Sequence, residues 1–266
     1  EDELPKEEED ADEQEETVEE LCKLMKKILR PENFMISYTG ERESLETVQK
    51  LAGTVKAGLG TEPVEKSKEK LTCTKKNEGF KTSGQVQYVA QTGNFKKKGL
   101  EYTGALEILK VILSYDYLWM NIRVKGGAYG CMCSFSDQGD SMFVTYRDPN
   151  LFESYKVYDE AADYVADFDA DDRDMKKYII GTIGNMDIPM EAVDMGARSF
   201  HAYFLGKTEA DLQKDRDQVL SCTQADIRAL APIVKAVVEA GNRCCIGNEE
   251  KIDQNKGYFD EVKHVL

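Results

Sequence analysis

Arg123-Val124-Lys125-Gly126-Gly127-Ala128-Tyr129-Gly130 sets a cation and a phenol on either side of a glycine pair. A guanidinium and a phenolic hydroxyl are hydrogen-bond donors, and donors fixed at one spot stabilise a carbonyl oxygen as it gains negative charge. A structural ion pair and a core aromatic would use the same two residue types, so spacing alone leaves both readings open. The glycines resemble a phosphate loop only in number. The stretch lacks Gly-Lys-Ser/Thr and follows a helical pattern rather than a strand.

Other constellations are weaker. The two histidines, His201 and His264, are far apart, and no HxxEH motif is present. A catalytic zinc needs about three protein ligands and an open fourth position, which this sequence does not offer. His201 reads as a helix-face residue and His264 as part of a frayed C-terminus. Asp167-Phe168-Asp169-Ala170-Asp171-Asp172 suggests a calcium loop but has Asp172 where glycine is required and Tyr178 where glutamate is required. It reads as a solvated helix entry. No GxSxG elbow occurs. Cys131 or Cys133 as a nucleophile would need a neighbouring base that the sequence does not reveal. The seven cysteines lack paired CxxC spacing, which favours buried free thiols over a disulfide scaffold or structural zinc.

Charge narrows the class further. The net charge is -15, with 50 acidic and 35 basic residues, and residues 1–20 hold 13 of those acids against Lys6 alone. The acidic block, 1–17, reads as a flexible tail or solvated linker. Without a basic stripe to neutralise phosphates, nucleic acid is excluded as a partner. No apolar run approaches the roughly 18 residues of a membrane span. The chain starts Glu1-Asp2-Glu3, without Met or an apolar leader, and is read as an excised piece or a processed product.

The corner at 123–130 must be carried by regular elements. Val18 to Leu29 repeats as a helix that Pro31 ends. Phe34 to Tyr38 reads as a short strand, and Leu45 to Val55 as a second helix closed by Gly58 and Gly60. Residues 61–79 are polar and suit a linker. From Lys81 to Thr92 the pattern alternates, with Val86, Tyr88 and Ala90 on one face and Gln85, Gln87 and Gln91 on the other, as in a half-buried strand. Residues 104–122 form a helix apolar nearly all round, expected to be buried between layers. Cys131–Phe135 and Met142–Tyr146 form a hairpin. Asn150 is expected to cap the next helix with Glu153 as its box partner. Further helices follow Asp171 and span 191–205, 208–220 and 224–239. Gly181 and Gly184 suit close helix packing, and Arg243–Ile246 is a terminal strand.

One echo runs through the chain. Asn33-Phe34-Met35-Ile36 leads through Gly40 to Leu45, and Asn242-Arg243-Cys244-Cys245-Ile246 leads through Gly247 to Ile252. The repeat suggests the end of one structural unit followed by the whole of the next.

Leu118 to Gly130, followed by Tyr146-Arg147-Asp148-Pro149-Asn150-Leu151, resembles the C-terminal half of the pitrilysin/insulinase zinc metallopeptidases. Within them the presequence-protease and falcilysin-like branch is most similar. Ile179 to Gly184 and Phe204 to Thr208 add to the resemblance, which runs from about residue 20 to the end.

The resemblance implies an α+β fold, a two-layer α/β sandwich with a mixed, mainly antiparallel sheet packed by helices. This is the arrangement shared with LuxS and the mitochondrial processing peptidase. The implied domains are the acidic tail 1–17, the end of a preceding unit over 18–65, a linker over 66–78 and a C-terminal domain over 79–266. The parent would be a zinc-dependent oligopeptidase whose N-terminal half carries the HxxEH zinc. This part would complete the peptide chamber and be inactive alone. Arg123 and Tyr129 would hydrogen-bond the substrate backbone and carbonyl, with Gly126 and Gly127 contributing to substrate binding by letting the corner turn. Zinc would bind the absent half and no cofactor would bind here. The expected partners are that half and peptides, without nucleic acid or membrane. A non-catalytic binding or assembly subunit of the same fold is the alternative. Free thiols favour the cytoplasm, and the branch allows an organelle.

Overall fold

A computed structural model describes residues 6–64, 72 and 74–265. Along the chain the described helices are α1 (Lys6–Ile28), α2 (Leu45–Ala57), α3 (Ala105–Ile112), α4 (Phe152–Asp159), α5 (Ala161–Ala166), α6 (Asp172–Met186), α7 (Ala192–Leu205), α8 (Glu209–Leu220), α9 (Gln224–Arg228), α10 (Ala231–Glu239) and α11 (Glu249–Gln254). The strands are β1 (Glu78–Thr82), β2 (Tyr88–Asn94), β3 (Gly130–Phe135), β4 (Asp140–Tyr146), β5 (Asn242–Asn248) and β6 (Glu261–His264). The chain separates into two units, Glu1–Leu71 with Pro189–Lys207, and Thr72–Ile188 with Thr208–Leu266.

The first unit contains α1, α2 and α7. Among the described residues its apolar side chains do not close into a core. Val18, Leu21, Leu24, Met25 and Ile28 recur along α1 at helical spacing, yet all are exposed, as are Leu51 and Val55 of α2 and Val193, Tyr203 and Phe204 of α7. Among its described residues the buried positions are Arg30 and Gly196. Arg30 donates from Nη1 to the Glu62 carbonyl at 2.6 Å. The helix expected from Val18 begins at Lys6 and so runs back through acidic sequence. The strand expected at 34–38 does not form. Phe34 has extended backbone, but none of the six strands pairs with the segment, and an unpaired strand leaves its backbone donors and acceptors without a ladder. Of the expected 66–78 linker, residues 66–71 and 73 lie outside the described residues, and Glu78 already belongs to β1.

The second unit is a two-layer α/β structure. Its sheet has the order β3-β4-β2-β5-β1-β6. The pairs β3·β4, β4·β2 and β2·β5 are antiparallel, while β5·β1 and β1·β6 are parallel. The expected mixed, mainly antiparallel sheet packed by helices is therefore present. The expected terminal strand is the interior strand β5. A sixth strand, absent from the sequence reading, carries His264, whose side chain is exposed.

One face of the sheet holds the core. Val89, Cys133, Phe135, Phe143 and Cys245 meet Leu106, Ile108, Leu109, Ile112 and Leu113 from the long helix and Val234 and Val237 from α10. Burying each large aliphatic side chain contributes about 1.5–3 kcal/mol before ordering costs are subtracted. Tyr155 and Tyr158 of α4 lie fully inside, and their hydroxyls donate to Cys244 O at 3.1 Å and Val89 O at 3.2 Å.

The alternating strand is split into β1 and β2, and its buried face is the reverse of the one hydropathy suggests. Gln87 and Gln91 are wholly buried, whereas Tyr88 is exposed. The glutamines tolerate this because they are satisfied. Gln91 Nε2 donates to Asp159 at 2.9 Å and to Val238 O at 3.0 Å. Gln87 Oε1 accepts from Asn248 N at 2.9 Å. Gly181 and Gly184 are not packing glycines, since an added Cβ at either would meet open space. The calcium-like acidic run is a helix entry, with Asp171 capping α6 through Asp174 N at 2.8 Å.

Burial raises the thiols of Cys133, Cys222 and Cys245 to about 12, while Cys22 is exposed. Thiolate is the reactive form, so at pH 8 the three buried sites hold roughly a thousandth of the thiolate of an unshifted cysteine. Alkylation of the native chain followed by peptide mapping should label Cys22 first and reach Cys133, Cys222 and Cys245 only after denaturant is added. Equal labelling in the native state would contradict the core described here.

Candidate functional site at a helix-to-strand corner

The helix begun by α3 continues past Ile112 through two wide-turn segments, Leu113–Tyr117 and Trp119–Val124. Lys125 N donates five residues back to Met120 O at 3.0 Å. Wide turns shift which residues face inward. Leu118 and Ile122 are buried, while Trp119, Met120, Arg123 and Val124 are exposed. The expectation of a helix buried on all sides therefore fails over its last two turns, where apolar surface stays uncovered beside Arg123.

The two glycines end this helix for separable reasons. Gly127 has φ +80°, a backbone region that costs L-residues strain. At Gly126 an added Cβ would sit 2.5 Å from Ile122 O, against backbone that cannot yield. The chain then enters β3 with Tyr129 at its threshold.

Arg123 and Tyr129 are brought together at the surface. The Arg123 guanidinium lies 4.1 Å from the Trp119 ring centre and 6.0 Å from that of Tyr129. Tyr129 is 66% exposed. Its ring meets Tyr146 edge-on at 5.6 Å, and Tyr146 meets Tyr88 edge-on at 5.5 Å. Across the sheet, Tyr88 pairs with Ile246 and Ile246 with Phe80. The row Tyr129, Tyr146, Tyr88, Ile246, Phe80 thus follows the sheet face opposite the core. Met132 and Met142 are exposed on the same face. Stacked planar groups and edge-to-face rings hold the cation and the phenol in place without enclosing them.

The segment after β4 supports the corner. Asn150 is not the helix cap expected of it, since Leu151 occupies that position and makes no side-chain cap bond. The Asn150 amide instead donates from Nδ2 to Gly126 O at 2.6 Å. Tyr129 N donates to Arg147 O at 3.3 Å. The Asp148 carboxylate is fully buried and accepts from Asn150 N at 2.9 Å and Ser154 Oγ at 2.6 Å. Burial pushes its pKa up, and the hydrogen bonds partly offset this.

The remaining candidates recede. Cys131 lies close enough to Arg123 for the cation to favour its thiolate, but burial outweighs that and raises it to about 11. A nucleophilic role has no support there. Among the described residues no group of three or more His, Cys, Asp or Glu side chains could hold a metal ion, so the implied zinc finds no fitting ligand set on them. Spacing and residue type assign no role at the corner to Trp119, Tyr146, Tyr88 or Asp148, and assign Asn150 only a helix cap. The signals available were Trp119 four residues before Arg123, and Tyr146 at even spacing from Met142 and Val144 on a strand.

With this geometry established, similarity to known proteins is informative. Protein HypA of Clostridium perfringens is 39% identical over 246 residues, covering 92% of this chain and 25% of that protein. Presequence protease 1, chloroplastic/mitochondrial, of Arabidopsis thaliana is 30% identical over 254 residues, covering 92% of this chain and 23% of that protein. This chain therefore spans about a quarter of the length of these curated relatives. A crystallised peptidase M16 inactive domain from Pseudomonas fluorescens shares the fold at a TM-score of 0.50 and 15% identity, covering 84% of this chain and 52% of that one. The family described as PreP C-terminal domain matches residues 77–248, more than half of the chain. The chain belongs to this family, a C-terminal half within the insulinase/pitrilysin proteases.

Proposed function

We propose that this chain is the C-terminal portion of a zinc-dependent oligopeptidase, completing the chamber that encloses a peptide and presenting Arg123 and Tyr129 to it. The observation that carries this reading is the exposed Arg123–Tyr129 pair at the end of an uncovered, aromatic-rich sheet face. Contiguous exposed apolar surface is a feature of binding faces. In this reading the Tyr129 hydroxyl donates to the carbonyl of the scissile region and Arg123 holds a neighbouring backbone carbonyl. Both donors are set by the protein before substrate arrives, so they cost no reorganisation when charge develops on oxygen. The zinc ligands belong to polypeptide outside this chain, and the chain alone does not cleave peptides.

The first unit supports the same partner. Three helices with apolar side chains exposed and, among the described residues, no apolar core suit a surface completed by the preceding half of the same polypeptide. No described helix is long and apolar enough to cross a membrane. An organellar location is proposed from the Arabidopsis relative's name, with the cytoplasm as the other option.

In the longer polypeptide, Tyr129→Phe should lower kcat toward a fluorogenic peptide by about 10²-fold, the scale of one lost oxyanion donor. Its unfolding free energy should change by less than about 0.5 kcal/mol, because the hydroxyl is on an exposed side chain. Unchanged turnover would reassign Tyr129 to the wall of a binding module. The 266-residue chain, assayed with added zinc, should show no cleavage above buffer. Zinc-dependent cleavage by it would overturn the assignment of the catalytic ligands to other polypeptide.

A further inference from the structure

The 147–150 segment does more than connect β4 to α4. It reaches both ends of the corner. The Asn150 side chain holds Gly126 O at 2.6 Å, and the Arg147 carbonyl receives Tyr129 N at 3.3 Å. Between these two bonds lie Gly127 and Ala128, where the chain reverses. The holding segment is itself anchored from three directions. Asp148 exchanges backbone hydrogen bonds with Gln87 at 2.7 and 2.8 Å. Gln87 Nε2 adds a third bond to Asp148 O at 3.1 Å, and its Oε1 accepts from Asn248 N at 2.9 Å. Ser154, on α4, donates to the Asp148 carboxylate at 2.6 Å, and the other carboxylate oxygen accepts from Asn150 N at 2.9 Å. The last bond fixes the backbone from which the Asn150 amide projects. Arg147 stands at φ +49°, a conformation a non-glycine residue keeps only where its surroundings impose it.

We propose that Asp148 and Asn150 are positioning residues for Arg123 and Tyr129, a buried clamp that sets where the cation and the phenol are presented. The part of this that concerns turnover rests on the assignment of Arg123 and Tyr129 to the peptide. The clamp itself is independent of that assignment. Asn150 acts through Gly126, and Asp148 acts through Asn150 and Arg147; neither touches substrate. A donor displaced by a fraction of an ångström to one ångström loses catalytic effect out of proportion to the energy of the bond that held it.

The test has two arms. Trp119 is the sole tryptophan of the 266-residue chain and stacks on Arg123, so its emission reports the corner directly. Asn150→Ala in that chain should shift Trp119 emission and raise its acrylamide quenching, in the direction produced by Arg123→Ala. Asn150→Gln, which retains the amide donor, should recover part of the change. If Asn150→Ala does not fold, Ser154→Ala removes one support of Asp148 without touching the corner and should move Trp119 less, in the same direction. Trp119 signals unchanged in a folded Asn150→Ala chain would overturn the clamp. In the longer polypeptide, Asn150→Ala should lower kcat by roughly 10-fold or more, on the scale of a misplaced group. It should add little when Tyr129 is already Phe, because both changes remove one function. Full additivity with Tyr129→Phe would overturn positioning and leave Asn150 a stability residue. A Trp119 response alongside an unaffected Tyr129→Phe enzyme would support the clamp while removing Tyr129 from the chemistry.

Discussion

Asp148 carries a carboxyl group into an interior where it is fully buried, and the local structure follows from what that demands. An ionised carboxylate taken from water is costly unless donors replace the solvent it loses. Here those donors are Asn150 N and Ser154 Oγ, with Thr145 also favouring the charged form. The donors lie within the turn from β4 into α4 and on either side of it, so satisfying one group draws the strand end and the first turn of the helix around it. This is why α4 starts at Phe152 without a side-chain cap on Leu151: the polar group that organises its entrance sits three residues earlier. The backbone of Asp148 pairs with Gln87 and ties the same turn to the approach to β2.

A second constraint comes from the long helix. An ordinary α-helix advances about 100° per residue and would keep one stripe of side chains inward over its whole length. The two wide-turn segments break that phase. The first half buries Leu106, Ile108, Leu109, Ile112 and Leu113, as a core helix should. Beyond Leu118 the inward stripe narrows to Ile122, and Trp119 turns outward with Arg123 four residues later on the same side. Wide turns of this kind cost hydrogen-bond geometry and recur at functional sites. The gain here is a guanidinium presented on a rigid aromatic base at the point where the helix must stop for Gly126.

Legibility in the sequence followed the type of physical signal. Periodicity located the helices and the β3–β4 hairpin, and the glycine pair marked the corner, because close backbone approach and positive φ leave a compositional trace. The inverted face of β2 was illegible for a definite reason. Gln87 and Gln91 read as polar and hence outward, yet each finds partners from segments more than sixty residues away, and hydropathy carries no record of those partners. Asn150 misled in the same manner. An asparagine before a helix satisfies the local capping pattern, and only the folded corner supplies the Gly126 carbonyl that it binds instead. Phe34 to Tyr38 has strand composition without a strand to pair with, which shows that propensity needs a neighbour before it becomes a sheet. Arg123 and Tyr129 were prominent because both are chemically distinctive; the tyrosines that back them, Tyr146 and Tyr88, looked like any half-buried strand residues.

The distribution of apolar surface sharpens the contrast between the two units. In the second, most large side chains pack into one contiguous core; Tyr88, Tyr129, Met132, Met142, Tyr146 and Ile246 stay exposed along the far face of the sheet, while others such as Tyr115 and Ile180 stay exposed on helices. In the first, the stripe on α1 is regular enough to be a core stripe, but the described residues give it no core. Apolar surface left in water gains nothing to offset the entropy of holding a helix, so isolated helices of this kind are marginal. A stripe of Val, Leu, Met and Ile at helical spacing is the pattern expected where the covering element belongs to a different stretch of polypeptide. The sheet face differs in kind. It is built on strands already paired and backed by a core, so it stands without a cover and its rings stay exposed. On the proposed reading, the first unit is where the remainder of the polypeptide attaches for good, and the aromatic row ending at Tyr129 and Arg123 is where a peptide is held only for the length of a reaction.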